Sequence, residues 1–166
     1  KYKNLNKNSI GIELVNKGHS FGYKNFKKKQ ITSLIKVCSS LIKKYNIKKN
    51  NVVGHSDVAP FRKKDPGEKF PWKYLSKNKI GYWHNLDHKI LTKNRILKIN
   101  NLQKNLFYKN IYKIGYSKKT SLNLKYSKNN YLIKITKAFQ RRFRPELING
   151  KIDKECLIIS QNLAKQ

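Results

Sequence analysis

Residues 9–15 have the sequence SIGIELV, and residues 51–54 have the sequence NVVG. Both stretches are short, apolar and rich in β-branched side chains, a composition typical of buried β-strands. Between them, apolar residues recur at three- and four-residue steps, which predicts an amphipathic helix over residues 26–45 with lysines on its outer face. The order strand, helix, strand predicts an α/β unit.

The pattern changes in the second half of the chain. We expect residues 84–98 to form a linker, because residues 99–166 lack strong strand signals. Apolar spacing there predicts helices near residues 131–142 and 153–164. The sequence therefore predicts an α/β domain over residues 1–83 and a small helical domain over residues 99–166.

The charge is strongly basic, with 39 Lys and Arg residues against 8 Asp and Glu residues and a formal net charge of +31. Three explanations are open: compositional drift towards lysine, attraction to an anionic polymer, or dedicated nucleic-acid binding. Base recognition favours arginine over lysine, and only five residues are arginine: Arg62, Arg95, Arg141, Arg142 and Arg144. We therefore expect no specific nucleic-acid partner, and the absence of a long apolar run predicts no transmembrane helix.

Two further features of the composition are informative. The 166 residues include no methionine, so we expect a processed product or a fragment that lacks its original N-terminus. The two cysteines, Cys38 and Cys156, are too few for a disulfide framework and have no metal-binding spacing. A buried thiol is the favoured interpretation of Cys38, which falls on the apolar face of the predicted helix.

A candidate site lies in residues 54–67, GHSDVAPFRKKDPG. His55 follows a predicted strand, and Asp65 precedes a Pro-Gly turn ten residues later. A loop could bring this imidazole and carboxylate onto one cation, since zinc accepts nitrogen and oxygen ligands. Taken alone, the pair fits a structural histidine beside a turn aspartate better than a metal site.

Two other charged residues favour the metal interpretation. Glu13 stands in an otherwise apolar stretch, where a carboxylate must be paired or serve a site. Lys63 precedes Asp65 by two residues, so both side chains lie on one side of an extended loop. A metal that activates water, a carboxylate base and a lysine that offsets oxyanion charge together suit hydrolysis.

Two quoted segments carry a resemblance to a known family: SIGIELVNKGHSFGYKNF, which starts at residue 9, and NVVGHSDVAPFRKKDPGEKFPW, which starts at residue 51. Over about residues 4–83 the chain resembles the zinc-dependent N-acetylmuramoyl-L-alanine amidases of the amidase-2 family, the AmpD/AmiD type. The resemblance implies a mixed central sheet flanked by helices, as in peptidoglycan recognition proteins. It also implies a Zn²⁺ cofactor and a peptidoglycan or muropeptide substrate, cleaved between the lactyl group of N-acetylmuramic acid and L-alanine.

The same resemblance implies roles for individual residues. His55 and Asp65 correspond to two of the three zinc ligands, Glu13 to the catalytic carboxylate and Lys63 to the transition-state cation. The family's remaining ligand is a histidine upstream of Glu13, and no histidine precedes Glu13 in this chain. We therefore expect an N-terminally truncated amidase that is weakly active or inactive as it stands.

A separate resemblance covers residues 138–163, AFQRRFRPELINGKIDKECLIISQNL. This stretch resembles the closing half of a peptidoglycan-binding domain, a three-helix module, with Asp153 capping its last helix. Residues 106–116, LFYKNIYKIGY, correspond to its first helix. A wall-binding module indicates the cell envelope, periplasm or outer membrane, rather than the cytoplasm, and we expect a monomer.

Other residues are secondary candidates. His19, Arg62 and Trp72 are candidate substrate-binding residues, although core packing is the favoured role of Trp72. His19 is also a candidate replacement ligand, and the four-residue spacing of His84 and His88 would suit a metal pair on a helix. A non-catalytic peptidoglycan-binding protein of the same fold remains the alternative function, because such proteins lack zinc ligands.

Overall fold

The structure is a computed structural model that describes residues 7–117 and 127–166. Residues 4–6 of the amidase-like stretch lie outside the described residues. The described helices are α1 (Lys28–Tyr45), α2 (His55–Val58), α3 (Trp72–Lys77), α4 (His88–Asn94), α5 (Asn101–Lys113), α6 (Lys128–Phe143) and α7 (Lys154–Leu163). Over these two ranges, no helix combines the length and the apolarity that crossing a membrane requires.

Helix α1 confirms the amphipathic pattern in the sequence. Ile31 and Leu34 are buried on its inner face, and Ile35, Cys38 and Ile42 pack beside them at helical spacing. The helix ends at Asn46, whose φ of 48° places it in the left-handed region that asparagine tolerates better than most residues. Its partners in this first apolar cluster are Phe70, Trp72, Leu75 and Ile80, which belong to α3 and its flanks.

The predicted mixed central sheet is wrong for the described part of the chain, where no segment forms a β-strand. Residues 9–15 have no regular secondary structure, and Ile10, Ile12 and Val15 are 50%, 42% and 90% exposed. A strand exists only where a second strand accepts and donates its backbone hydrogen bonds, and no described segment does so here. The apolar, β-branched composition is therefore insufficient to define a strand.

The second predicted strand, residues 51–54, is also absent. A 3-10 turn over Lys49–Asn51 is followed by Val52, and the chain then enters α2 directly after Gly54. Two apolar residues between two turns are too few to extend a ladder. This short connection brings α2 close to the first apolar cluster.

The second half forms a helical core. Helices α5, α6 and α7 enclose four side chains that are completely buried, Phe107, Ile111, Ile135 and Phe139. Asp153 precedes α7 and its carboxylate accepts a hydrogen bond from the backbone N–H of Cys156 at 2.9 Å. This geometry confirms the predicted N-cap, and Cys156 itself is fully buried.

Residues 82–98 contact both apolar clusters. Tyr82 and Leu91 belong to the helical core, and Trp83 packs against this core and against the first cluster. Helix α4 lies within the predicted linker, and Asp87 caps it by accepting from the backbone N–H of Lys89 at 2.8 Å. The stretch between the two halves is thus folded and packed.

Arginine and lysine differ in how they take part in the described ion pairs. Within residues 7–117 and 127–166, every ion pair joins a carboxylate to an arginine or a histidine, and none uses a lysine. Arginines therefore link elements through carboxylates, whereas the described lysines form none of these ion pairs.

Candidate functional site

The centre of the candidate site is the turn formed by α2. His55 is its first residue and follows the buried Gly54. A Cβ atom at residue 54 would lie 2.8 Å from Cδ of Pro66 and 3.2 Å from the ring of Trp72. Only glycine fits this close approach, which packs the beginning of α2 against the loop that carries Asp65.

His55 and Asp65 lie side by side. The backbone N–H of Ser56 donates to the backbone oxygen of Asp65 at 2.9 Å, and Nδ1 of His55 lies 2.9 Å from Oδ2 of Asp65. The Asp65–Pro66 peptide bond is cis. The two side chains are 43% and 58% exposed, so both remain accessible from solvent. The structure therefore brings together the two ligands that the sequence predicted.

The donor set of this pair fits part of a zinc site. Two donors on one tetrahedral zinc, each bonded at about 2.1 Å, would lie about 3.4 Å apart, whereas the two atoms here are 2.9 Å apart and hydrogen-bonded to each other. Imidazole nitrogen and carboxylate oxygen are both zinc ligands. However, no group of three His, Cys, Asp or Glu residues suited to a metal occurs within residues 7–117 and 127–166. Within these ranges, the pair therefore offers two donors of a type that zinc accepts.

Glu13 and Lys63 take no part in the hydrogen bonding of the pair in the described chain. Glu13 is exposed on the irregular stretch before α1. Lys63 follows α2, and its backbone N–H, like that of Arg62, donates to the backbone oxygen of Ala59. Within the described part of the chain, no hydrogen bond or ion pair joins the side chains of Glu13 and Lys63 to His55 or Asp65.

A second polar cluster lies beside Asp65 and contains His19. Nε2 of His19 lies 3.0 Å from a carboxylate oxygen of Glu68, and its ring stacks on Tyr23 with centroids 4.4 Å apart. Burial alone would raise the pKa of Glu68, but the hydrogen bond with His19 and the nearby charge of Arg141 hold this pKa below its usual value. The carboxylate of Glu68 therefore stays ionised and fixes the loop that carries His19.

Tyr23 holds the same loop from the other side. Its hydroxyl donates to the backbone oxygen of Pro66 at 2.6 Å and accepts from the backbone N–H of Lys69 at 3.0 Å. Burial raises the pKa of Tyr23 to about 12, so the donor proton is retained. Gly67, with φ at +88°, approaches this hydroxyl so closely that no side chain fits. Sequence analysis missed Tyr23 and Glu68, and the glycine after Asp65-Pro66 was the one local signal.

Trp72 and His84 occupy interior positions. Trp72 is 6% exposed and packs edge to face on Phe70, with ring centroids 4.7 Å apart, as the core-packing interpretation expected. His84 is 7% exposed, and its burial lowers its pKa to about 4, with the positive charge of Lys73 acting in the same direction. Neither ring is presented to solvent in the way that the His55–Asp65 pair is.

Comparisons with known proteins show similarity to amidases. Residues 1–68 match the family model described as N-acetylmuramoyl-L-alanine amidase. In sequence, 98% of the chain is 34% identical to the N-acetylmuramoyl-L-alanine amidase AmiD of Escherichia coli (strain K12), of which it covers 59%. A stretch of 64 residues, 39% of the chain, is 41% identical to 32% of the 1,6-anhydro-N-acetylmuramyl-L-alanine amidase AmpD of Enterobacter cloacae.

Comparison with solved structures also shows similarity to AmiD and AmpDh3. The complex of E. coli AmiD with anhydro-N-acetylmuramic acid-L-Ala-D-γ-Glu-L-Lys aligns with a TM-score of 0.72 and 32% identity, covering 87% of this chain and 54% of that one. AmpDh3 from Pseudomonas aeruginosa aligns with a TM-score of 0.70 and 28% identity, covering 87% and 56%. The chain spans little more than half the length of these relatives, and the similarities support an amidase of the AmpD/AmiD type.

Proposed function

We propose that this chain carries part of the active site of a zinc-dependent N-acetylmuramoyl-L-alanine amidase. The observation that supports this most is the juxtaposition of His55 and Asp65, an exposed nitrogen–oxygen pair 2.9 Å apart. The similarity to AmiD and AmpD agrees with it. In this proposal, His55 and Asp65 hold zinc together with a ligand from outside the described residues.

Zinc, Glu13 and Lys63 each have a chemical task in this proposal. When bound, zinc would lower the pKa of a coordinated water molecule and polarise the amide carbonyl. Glu13 would accept the proton of the attacking water, and Lys63 would offset the negative charge that develops on the carbonyl oxygen. In this proposal both side chains act on the water and the amide and not on the zinc ligands, which agrees with the absence of a hydrogen bond between them and His55 or Asp65 in the described residues.

The proposed substrate is a muropeptide, cut at the amide between the lactyl group of the muramic or anhydromuramic acid and L-alanine. A muropeptide of this kind is bound in the solved AmiD complex. We also propose that the protein acts in the cell envelope, because residues 138–163 resemble a peptidoglycan-binding module. Because catalytic zinc takes three protein ligands and the described residues supply two, we expect weak zinc binding and slow turnover by these 166 residues.

The second candidate function is non-catalytic binding of peptidoglycan. The absence of a three-ligand group within residues 7–117 and 127–166 favours it. The retained His55–Asp65 pair argues against it, since a protein that only binds has no need of two exposed, juxtaposed metal donors.

Product analysis separates the two functions. The chain is incubated with an anhydromuramoyl tripeptide in excess zinc, with and without a chelator, and the products are identified by mass spectrometry. The amidase proposal expects slow release of a tripeptide with a free L-alanine amine, abolished by the chelator. Binding of the muropeptide with no tripeptide released after prolonged incubation would instead establish the non-catalytic function.

A further inference from the structure

A residue of helix α6 reaches the turn that presents His55. Nη1 of Arg142 lies 2.5 Å from Oδ2 of Asp57, and Nη2 of Arg142 donates to the backbone oxygen of Val52 at 2.9 Å. The other carboxylate oxygen of Asp57 accepts from the hydroxyl of Tyr116 at 2.7 Å. Asp57 is thus held by two side chains that are 59 and 85 residues away in the sequence.

This junction is buried. Arg142 is 3% exposed, and its guanidinium carbon lies 4.1 Å from the ring centroid of Trp72. Burial alone would lower the pKa of Arg142, but the carboxylate of Asp57 and the hydroxyl of Tyr116 raise it above its usual value. Burial also raises the pKa of Tyr116 well above its usual value, with the charge of Asp57 adding to this rise, so the phenol keeps its proton. The guanidinium of Arg142 and the hydroxyl of Tyr116 therefore keep the protons that they donate to Asp57.

Helix α2 depends on such contacts for its position. It contains only four residues, and isolated helices far longer than this are marginal in water. Asp57 also accepts from the backbone N–H of Gly54 at 2.8 Å, which closes the turn around His55. The Asp57 carboxylate is therefore bonded both to the helical half of the chain and to the turn that carries His55.

We propose that Arg142 and Tyr116 are positioning residues for the His55–Asp65 pair. The helical second half of the chain, through these two side chains, fixes the orientation of α2 and so sets the affinity of the pair for a metal ion. The part of this inference that concerns zinc rests on the function proposed above. The part that concerns the geometry of α2 stands on the contacts alone.

The test uses the whole chain and compares matched substitutions. Tyr116→Phe removes one hydroxyl from Asp57, and Tyr131→Phe is its control, because the Tyr131 hydroxyl donates to the backbone oxygen of Ser117 instead. Arg142→Lys keeps the positive charge but cannot contact Asp57 and the backbone oxygen of Val52 together with two nitrogens of one planar group. Arg144→Met is the control for loss of a buried arginine, since Arg144 is 1% exposed and pairs with Asp153.

Two readouts are measured on each variant: hydrogen exchange of the α2 amides, and affinity for zinc by competition with a chelator. The amides of Ser56, Asp57 and Ala59 are informative, because each donates a backbone hydrogen bond in or beside α2. We expect both Tyr116→Phe and Arg142→Lys to accelerate their exchange about tenfold and to weaken zinc binding by a similar factor. The controls should leave exchange in α2 unchanged, even where Arg144→Met lowers the melting temperature.

The outcomes distinguish the two proposals. Unchanged exchange in α2 for both Tyr116→Phe and Arg142→Lys would overturn the positioning role, whether or not zinc binds. Faster exchange in a chain that binds no zinc would support the positioning of α2 and defeat the zinc-site proposal. Equal acceleration by the Arg144→Met and Arg142→Lys variants would show a general loss of stability and would also overturn the inference.

Discussion

Nδ1 of His55 and Oδ2 of Asp65 lie 2.9 Å apart on an exposed surface, ten residues apart in the sequence. A backbone hydrogen bond between Ser56 and Asp65 holds the two segments together independently of these side chains. The backbone therefore holds the two segments that carry the pair next to each other.

The first prediction concerns the metal ligands. Asp65→Asn and His55→Gln should each weaken zinc binding at least about tenfold, because each removes one of two protein ligands. Calorimetry or chelator competition measures the affinity. His88→Gln is the control, since His88 is an exposed histidine at the start of α4. Equal zinc affinity in all three variants would show that zinc binds elsewhere.

The second prediction concerns the proposed catalytic groups. Glu13→Gln and Lys63→Met should each lower kcat about 100-fold with little change in KM, because both act on charge that develops during the reaction. Steady-state kinetics in excess zinc gives both constants. Lys64→Met and Glu146→Gln are the controls, since one removes the neighbouring lysine and the other removes an exposed carboxylate of the helical half. A matching fall in kcat for a control would refute the assigned roles.

The third prediction concerns the stability of the helical half. Asp153 caps α7 and pairs with the buried Arg144, with an N–O distance of 3.3 Å. Asp153→Ala should lower the free energy of unfolding by about 3 kcal/mol, because it removes a cap and leaves a buried arginine less compensated. Asp87→Ala removes only an exposed cap and should cost about 1 kcal/mol. Equal losses in urea unfolding would mean that the buried ion pair contributes nothing.

The fourth prediction concerns pH. Burial lowers the pKa of His84 to about 4 in the folded protein, whereas the unfolded chain has the ordinary value of about 6.5. Between these values the unfolded state binds more protons, so the contribution of His84 to stability is complete above about pH 6.5 and is lost as the pH falls towards 4. The free energy of unfolding should change by up to about 1.4 kcal/mol per pH unit from this residue.

The variant His84→Gln isolates this effect. It should flatten the dependence of unfolding free energy on pH between 4 and 6.5. His88→Gln, at an exposed position, should leave the dependence as it is. A slope that is the same in wild type and His84→Gln would show that the imidazole of His84 is not held neutral in the folded chain.

The features that sequence analysis predicted correctly are local. The apolar spacing of Ile31, Leu34 and Ile35 defines α1, and the cap at Asp153 follows from its place before a helix. The pairing of His55 with Asp65 spans ten residues and follows from a turn-forming Pro66-Gly67. Short-range patterns of this kind are encoded in neighbouring residues, so one sequence is enough to find them.

The features that it missed depend on distant partners. The apolar character of residues 9–15 suits a strand, but a strand needs a second segment beside it, and none of the described residues provides one. Apolar spacing in α6 puts Arg142 on the same face as Ile135 and Phe139, but its contact with Asp57 spans 85 residues, so its partner is not encoded locally. The same holds for Glu68, whose partner His19 lies 49 residues earlier.

The most direct test of the central claim is the response of zinc binding to added imidazole. If His55 and Asp65 form a zinc site that needs a further ligand, free imidazole should supply a third nitrogen donor. We predict that imidazole strengthens zinc binding and speeds zinc-dependent release of L-alanyl peptide from an anhydromuramoyl peptide in the wild-type chain, but not in Asp65→Asn. Zinc affinity and peptide release that imidazole leaves unchanged, or changes equally in Asp65→Asn, would contradict the assignment of this pair as the metal site.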